Sequence, residues 1–106
     1  MFIELDEPLG VGMYQGDFGE VLPINIIEGE ILEGDVLRFI IQDLAHNDII
    51  NKIVEVSDNS FGFKLTEEET KLLEEGNYLW GLKQYRDDLL IDTLSANNKF
   101  KVIRGQ

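Results

Sequence analysis

Apolar residues recur at every second position over most of the chain, which is typical of strands that place one face against a core. In the clearest example Leu37, Phe39 and Ile41 face inward, while Arg38 and Gln42 face outward. The same alternation predicts a series of short strands along the whole sequence. Their ranges are 11–14, 20–27, 36–42, 49–56, 61–65, 77–83, 89–94 and 99–104.

Two of these segments and the N-terminal residues allow more than one interpretation. Pro23 cannot donate a backbone hydrogen bond, so the strand at 20–27 is expected at a sheet edge or at a bulge. The strand at 49–56 carries apolar residues on both faces, and its register is therefore ambiguous. Residues 2–5 are interpreted as a short strand or as part of an N-terminal arm, 1–9.

Turn-forming residues separate the predicted strands. Gly16 and Gly19 mark a turn at 15–19, since glycine adopts positive φ easily and Asp17 can bond to its own backbone. Further turns are predicted at 57–60, at 86–88 and at 95–98, where Asp, Asn and Ser are concentrated. Strands divided in this way, in 106 residues, indicate a single all-β domain, 1–106.

One helical turn is predicted between the strands, at 67–75. Thr66 and Glu69 form the capping-box spacing, and acidic residues fill the first turn, where the helix dipole favours negative charge. The helix is expected to end at Gly76, after which the apolar period changes to two.

The residues that follow resemble a tyrosine corner. The spacing Leu73-x-x-Gly76-x-Tyr78 matches the corner of immunoglobulin-like sandwiches, where a Tyr hydrogen-bonds back along the chain. Trp80 lies where antibody domains place their second bridging Cys. These residues favour an immunoglobulin-like antiparallel β-sandwich of about 7–9 strands, with a closed barrel as the main alternative.

Composition restricts the partners. The chain has 9 basic and 21 acidic residues and a formal net charge of −12, which disfavours nucleic acid and anionic membrane surfaces. It has no cysteine, so disulfides and thiolate chemistry are excluded. No apolar run approaches a membrane span, and the acidic N-terminus is not expected to be a signal peptide.

Candidate chemistry is sparse. His46 is the single histidine, lies in a polar loop and is interpreted as a solvated surface residue. Asp87, Asp88 and Asp92 are more typical of a solvated hairpin than of a cation site, since the spacing of a calcium loop is missing. The run Gly16-Asp17-x-Gly19 lacks the context of a phosphate loop. We therefore predict no catalytic, cofactor-binding or metal-binding residues.

Aromatic residues divide into two groups. Those at inward strand positions are expected in the core: Phe39, Phe61, Phe63, Tyr78, Trp80 and Phe100. Tyr14, Phe18 and Tyr85 lie beside turns and are interpreted as exposed. Exposed aromatics at sheet ends stack on sugar rings or anchor protein interfaces, so these three are the candidate interface residues.

Several short motifs together resemble a family of small phage and prophage domains. In chain order they are Gln15-Gly16-Asp17, Gly34-Asp35-Val36-Leu37-Arg38-Phe39, Leu65-Thr66-Glu67-Glu68-Glu69-Thr70, Leu73-x-x-Gly76-x-Tyr78-x-Trp80, Thr93-Leu94 and Phe100-Lys101-Val102. Over about residues 11–104 the chain is similar to the immunoglobulin-like N-terminal domain of baseplate upper proteins from phages of Gram-positive bacteria.

This resemblance implies a non-enzymatic virion structural protein of a baseplate, tail or head. Its implied partners are other virion proteins, with a homo-oligomer as an option, and its location is the virion, or the host cytoplasm before assembly. A sheet edge or the acidic arm would supply the interface. The alternative function is a carbohydrate-binding module for host cell-surface glycans, and an enzyme is the weakest option.

Overall fold

The computed structural model describes residues 2–4, 9–19, 22–25, 34–57 and 60–104. It contains eight strands and one short helix. In chain order they are β1 (Phe2–Glu4), β2 (Val11–Tyr14), β3 (Leu22–Asn25), β4 (Val36–Gln42), β5 (Asp48–Ser57), β6 (Ser60–Phe63), α1 (Glu67–Thr70), β7 (Gly76–Arg86) and β8 (Leu89–Ile103). The prediction of an all-β fold is confirmed. Residues 20, 21, 26 and 27 of the predicted second strand lie outside the described residues.

The strands hydrogen-bond in the order β1-β2-β8-β7-β4-β5-β6-β3 and form one curled, mixed sheet. Every pair is antiparallel except β2 with β8, which run parallel from Val11↔Phe100 to Tyr14↔Ile103. The expectation of a wholly antiparallel arrangement is therefore wrong at this pair. Parallel neighbours need a long crossover, and the chain between β2 and β8 supplies one.

The core lies on the concave face of β4 and β7. Leu37, Phe39 and Ile41 are fully buried, as the alternation predicts. The ring of Phe39 stacks on Phe63 with centroids 3.8 Å apart, and on Trp80 with centroids 5.0 Å apart. This aromatic stack joins β4, β6 and β7, and adds to the burial of apolar area.

The inner face of β5 is identified by its pairing with β4. Ile50 and Val54 are buried, whereas Ile53 is 55% exposed. Lys52 is opposite Phe39, and its Nζ donates to Lys64 O and to Glu69 Oε1, both at 2.8 Å. The ambiguity of this strand is resolved because the lysine reaches hydrogen-bond acceptors beyond the core.

The helix begins at the predicted residue but is shorter than expected. Thr66 Oγ1 accepts from the Glu69 backbone N–H and Glu69 Oε1 accepts from the Thr66 backbone N–H, a complete capping box. The helix ends at Thr70 rather than near Glu75, because two tighter hydrogen bonds follow, from Leu72 N to Glu69 O and from Leu73 N to Thr70 O. These turns place Leu73 in the core.

The last strand also differs from the prediction. Residues 89–94 and 99–104 were expected as two strands with a turn at 95–98, but β8 is continuous from Leu89 to Ile103. Its pairing with β7 shifts register at three places. The turn-forming residues are used in bulges: Asn97 has φ 57°, and the extra residues increase the local twist.

Both ends of the sheet agree with the sequence. β3 is outermost at one end of the order, where Pro23 opposite Gly62 needs to pair on one side only. At the other end β1, part of the predicted N-terminal arm, pairs with β2. Phe100 of β8 is buried as predicted, and Val102 is buried beside it on the same face.

Candidate functional site

The outer edge of β8 is the longest unpaired strand edge in the described part of the chain. β2 pairs with β8 only from Phe100 to Ile103, and no described strand pairs with that edge between Leu89 and Lys99. An unpaired edge presents a row of backbone donors and acceptors to which another strand can add. The bulges of β8 interrupt this row of backbone groups but do not cover it.

The tip of the β7–β8 hairpin is apolar and exposed. Asp87 and Asp88 form its two-residue turn with φ 53° and 65°, as in the primed turns that fit hairpin twist. Directly after them Leu89, Leu90 and Ile91 are 68%, 50% and 43% exposed. Three consecutive exposed aliphatic side chains beside a free edge are unusual in a solvated hairpin. Residues 89–94 were predicted as a strand, and nothing in their local pattern indicates that the first three side chains stay exposed.

A buried polar cluster holds the base of this tip. Asp35 accepts three hydrogen bonds of 2.8 Å, one from Gln84 Nε2 and two from the guanidinium of Arg86. The Asp35 side chain is 1% exposed and that of Arg86 is 40% exposed. Two parallel bonds to one carboxylate fix both position and angle, so β7 is held against the start of β4. The sequence did carry a signal, since Gln84 continues the inward period of Trp80 and Leu82.

The corner residues predicted from sequence do come together. The Tyr78 hydroxyl donates to Glu74 O at 2.8 Å, the backward bond that the spacing suggests. Burial raises the pKa of Tyr78 above its ordinary value. Leu73 and Trp80 are buried beside it, and Trp80 Nε1 donates to Leu9 O at 2.8 Å. These residues organise structure at the base of β7.

The three candidate interface aromatics do not form one surface. Tyr14 and Phe18 are 40% and 55% exposed. Tyr14 is opposite Ile103, at the open end of the hairpin, and Phe18 lies in the segment that follows β2. Tyr85 is half-buried near the tip, nine residues along β7 from Gly76, a separation of roughly 30 Å at the rise of a strand. A single small ligand therefore contacts one group or the other.

Tyr85 lines a groove on the outer face of the sheet. The groove has a volume of about 400 Å³ and also contains Arg38, Asn51, Asp87 and Asp88. Arg38 Nη1 donates to Asn51 Oδ1 at 3.1 Å. An aromatic ring beside planar polar side chains is an arrangement that suits hydroxylated ligands.

A second hollow lies on the same face where β8 bulges away from β7. It measures about 280 Å³, and its polar lining includes Gln42, Lys83, Ser95 and Asn97. Gly81 forms its floor, and a Cβ there would lie 3.0 Å from Ser95 O. A side chain at this position would therefore be crowded by the backbone of β8, and glycine avoids that contact.

The loop around His46 is ordered by Asp43. Asp43 Oδ1 accepts from the backbone N–H groups of Ala45 and Asn47, both at 2.9 Å. The Asn47 backbone hydrogen bond is the main reason that the pKa of Asp43 lies below its ordinary value. His46 is exposed with φ 66°, and its Nδ1 lies 3.4 Å from Gln42 Oε1. This is the geometry of a loop held by an Asp side chain.

Among the described residues no three His, Cys, Asp or Glu side chains are grouped so as to hold a metal ion. That part of the chain also contains no helix with the length and apolar character needed to cross a membrane. No protein-family model, curated protein or solved structure matches the chain.

Proposed function

We propose that the chain is a non-enzymatic virion structural protein of a phage or prophage. In this proposal it is an immunoglobulin-like β-sandwich that joins a baseplate, tail or head by contacts with other virion proteins. The motif resemblance supports the viral setting. The free edge of β8, with its exposed apolar tip, is the observation that carries the role in assembly.

The edge suits strand addition from another protein. Backbone groups of residues 89–99 would pair with a partner strand, and Leu89, Leu90 and Ile91 would lose exposed apolar area on contact. The partner is expected to be basic, because the chain carries a net charge of −12 and Asp87 and Asp88 border the tip. The same charge opposes association of two copies at low salt.

Size-exclusion chromatography with light scattering tests the proposal, using the chain alone and with virion proteins encoded beside it. We expect a complex with at least one of them. Leu89→Lys should weaken that complex at least about tenfold, since it places a charge in the apolar contact. Leu44→Lys is the matched control, because Leu44 is 63% exposed and lies in the distant 43–47 loop.

Two outcomes would contradict the proposal. A chain that stays monomeric at high concentration with every such protein has no assembly role. A complex that Leu44→Lys weakens as much as Leu89→Lys does not use the β8 edge.

The groove beside Tyr85 favours a second candidate, a carbohydrate-binding module for host cell-surface glycans. Tyr85 would stack on a sugar ring, while Arg38, Asn51 and Asp87 would bond to its hydroxyls. A glycan array tests this candidate. We expect signals that Tyr85→Ala abolishes and Tyr14→Ala leaves unchanged, and an array without any signal would remove it.

A further inference from the structure

We infer that the outer face of the sheet binds an anionic saccharide, with the anionic group held between Arg38 and Lys83. The inference rests on the glycan-binding candidate and not on the assembly proposal. The inference gives the ligand a negative charge and an orientation. The ligand would lie across the groove beside Tyr85 and the adjoining hollow beside Gly81.

Two cations face each other on this surface. Arg38 is directly opposite Lys83 on the neighbouring strand. Both point outward, because the residues that flank them, such as Phe39 and Leu82, are buried on the inner face. Like charges directly opposite each other in a sheet are destabilising. The pair therefore lowers the stability of the fold at this position, which is common at ligand-binding sites.

The described residues around the pair supply no ion-pair partner for either cation. The chain has 21 acidic residues and 9 basic ones, so carboxylate partners are abundant. Lys52 and Arg86 have such partners. Neither Arg38 nor Lys83 has one among the described residues, and Arg38 bonds only to the neutral amide of Asn51. An oxyanion between them would satisfy both cations with charge-assisted hydrogen bonds.

The hollow on the Lys83 side is suited to hydroxyl groups. Thr93, Ser95 and Asn97 line it, and no carboxylate does. Ser95 Oγ accepts from Asn98 Nδ2 at 2.6 Å, which leaves the Ser95 hydroxyl hydrogen for a ligand acceptor. Neutral donors and acceptors next to a cation suit the hydroxyls that surround the acidic group of a sugar acid.

The groove on the Arg38 side determines the orientation of the ligand. Tyr85 and Ile53 offer apolar area for a sugar ring. Asp87 and Asp88 lie at the tip end of this groove and repel an anionic group there. A neutral ring therefore lies against Tyr85, and the acidic group lies at the Arg38–Lys83 pair.

Isothermal titration calorimetry with three probes tests the inference. The probes are a uronic-acid tetrasaccharide, the same tetrasaccharide with its carboxyl groups reduced to alcohols, and a tetraglutamate peptide. We expect the uronic-acid tetrasaccharide to bind at least about tenfold more tightly than either of the others. The affinity should also fall with added salt.

Charge-removing variants locate the site. Arg38→Gln and Lys83→Gln should each weaken the uronic-acid tetrasaccharide about tenfold or more without lowering the melting temperature, because each relieves the like-charge contact. Lys71→Gln removes the same charge at an exposed position beyond α1 and should leave affinity unchanged. A residue with a purely structural role would lower stability instead.

Each other outcome overturns the inference in a distinct way. Equal affinity for the reduced tetrasaccharide keeps the glycan-binding candidate and refutes the requirement for charge. Absence of binding by both saccharides refutes the inference, and a glycan array without any signal would remove the candidate as well. Equal affinity for tetraglutamate, or equal weakening by Lys71→Gln, reduces the surface to a non-specific cationic patch.

Discussion

The two halves of the β7–β8 hairpin differ in what covers them. In the corner half, β7 from Gly76 to Leu82 lies over the core, and the last residues of β8 pair with β2. In the tip half, from Lys83 through the turn to Asn97, the outer edge of β8 pairs with no described strand, and three aliphatic side chains are exposed. One ribbon thus serves as scaffold at one end and as a free surface at the other.

Truncating a large apolar side chain should cost much more stability in the corner half than in the tip half. Phe39→Ala, beneath the corner half, should lower the free energy of unfolding by about 3–5 kcal/mol, because it removes a fully buried ring stacked on two others. Leu90→Ala at the tip should change it by less than about 0.5 kcal/mol. Urea unfolding followed by tryptophan fluorescence measures both, and equal losses would refute the distinction.

Buried and exposed carboxylates near the tip form a second matched pair. Asp35→Ala removes three hydrogen bonds from Gln84 and Arg86, and we expect a loss of about 2 kcal/mol, limited by the partial exposure of Arg86. Asp92→Ala removes an exposed carboxylate and should cost less than about 0.5 kcal/mol. Thermal unfolding of both variants checks this, and an Asp35 variant as stable as the parent would show that the cluster is dispensable.

One tyrosine in each half allows the loss of a single hydroxyl group to be compared. Tyr78→Phe deletes the hydrogen bond to Glu74 O and should destabilise the chain by about 1 kcal/mol. Tyr85→Phe in the tip half should be neutral. Denaturant midpoints, compared at a constant m-value, distinguish the two variants. A neutral Tyr78→Phe would show that the hydrogen bond to Glu74 O contributes nothing to stability.

The smallest effect is expected from pH. Burial raises the pKa of Glu69, but the hydrogen bonds from Lys52 and Thr66 outweigh it, and the pKa lies below its ordinary value of 4.5. The folded state therefore binds this proton less readily than the unfolded state, and the stabilisation is present above pH 4.5 and is lost as the pH falls through the lowered pKa.

Glu69→Gln should accordingly lower stability by less than about 1 kcal/mol at neutral pH, and the difference from the parent should shrink in acid. Glu67→Gln, at an exposed first-turn position, is the control. Unfolding measured between pH 7 and pH 3 checks the trend. A difference that grows in acid would have the wrong sign.

Local pattern was sufficient where one face of a strand is buried. The inward residues of β4 and β8 and the capping box at Thr66 follow from the side-chain period and from helix-terminus chemistry. These features depend on neighbours a few residues away, so the sequence displays them directly.

The pairing of strands that are distant in sequence could not be predicted from the local pattern. Nothing local marks β2 as the parallel neighbour of β8, and Asn97 suits a bulge as well as a turn. Lys52 on the inner face is intelligible only once Lys64 O and Glu69 are known to lie within reach. Of the candidate surfaces, the sequence identified Tyr85. The Arg38–Lys83 pair depends on strand register, and the exposure of the apolar tip depends on which strands cover it, so neither is visible in the local pattern.

Hydrogen–deuterium exchange with and without a virion partner tests the central claim most directly. The account predicts that residues 89–99 gain protection in the complex, while the edge strand β3, Leu22–Asn25, exchanges as before. Protection of β3 with unchanged exchange at 89–99 would contradict it.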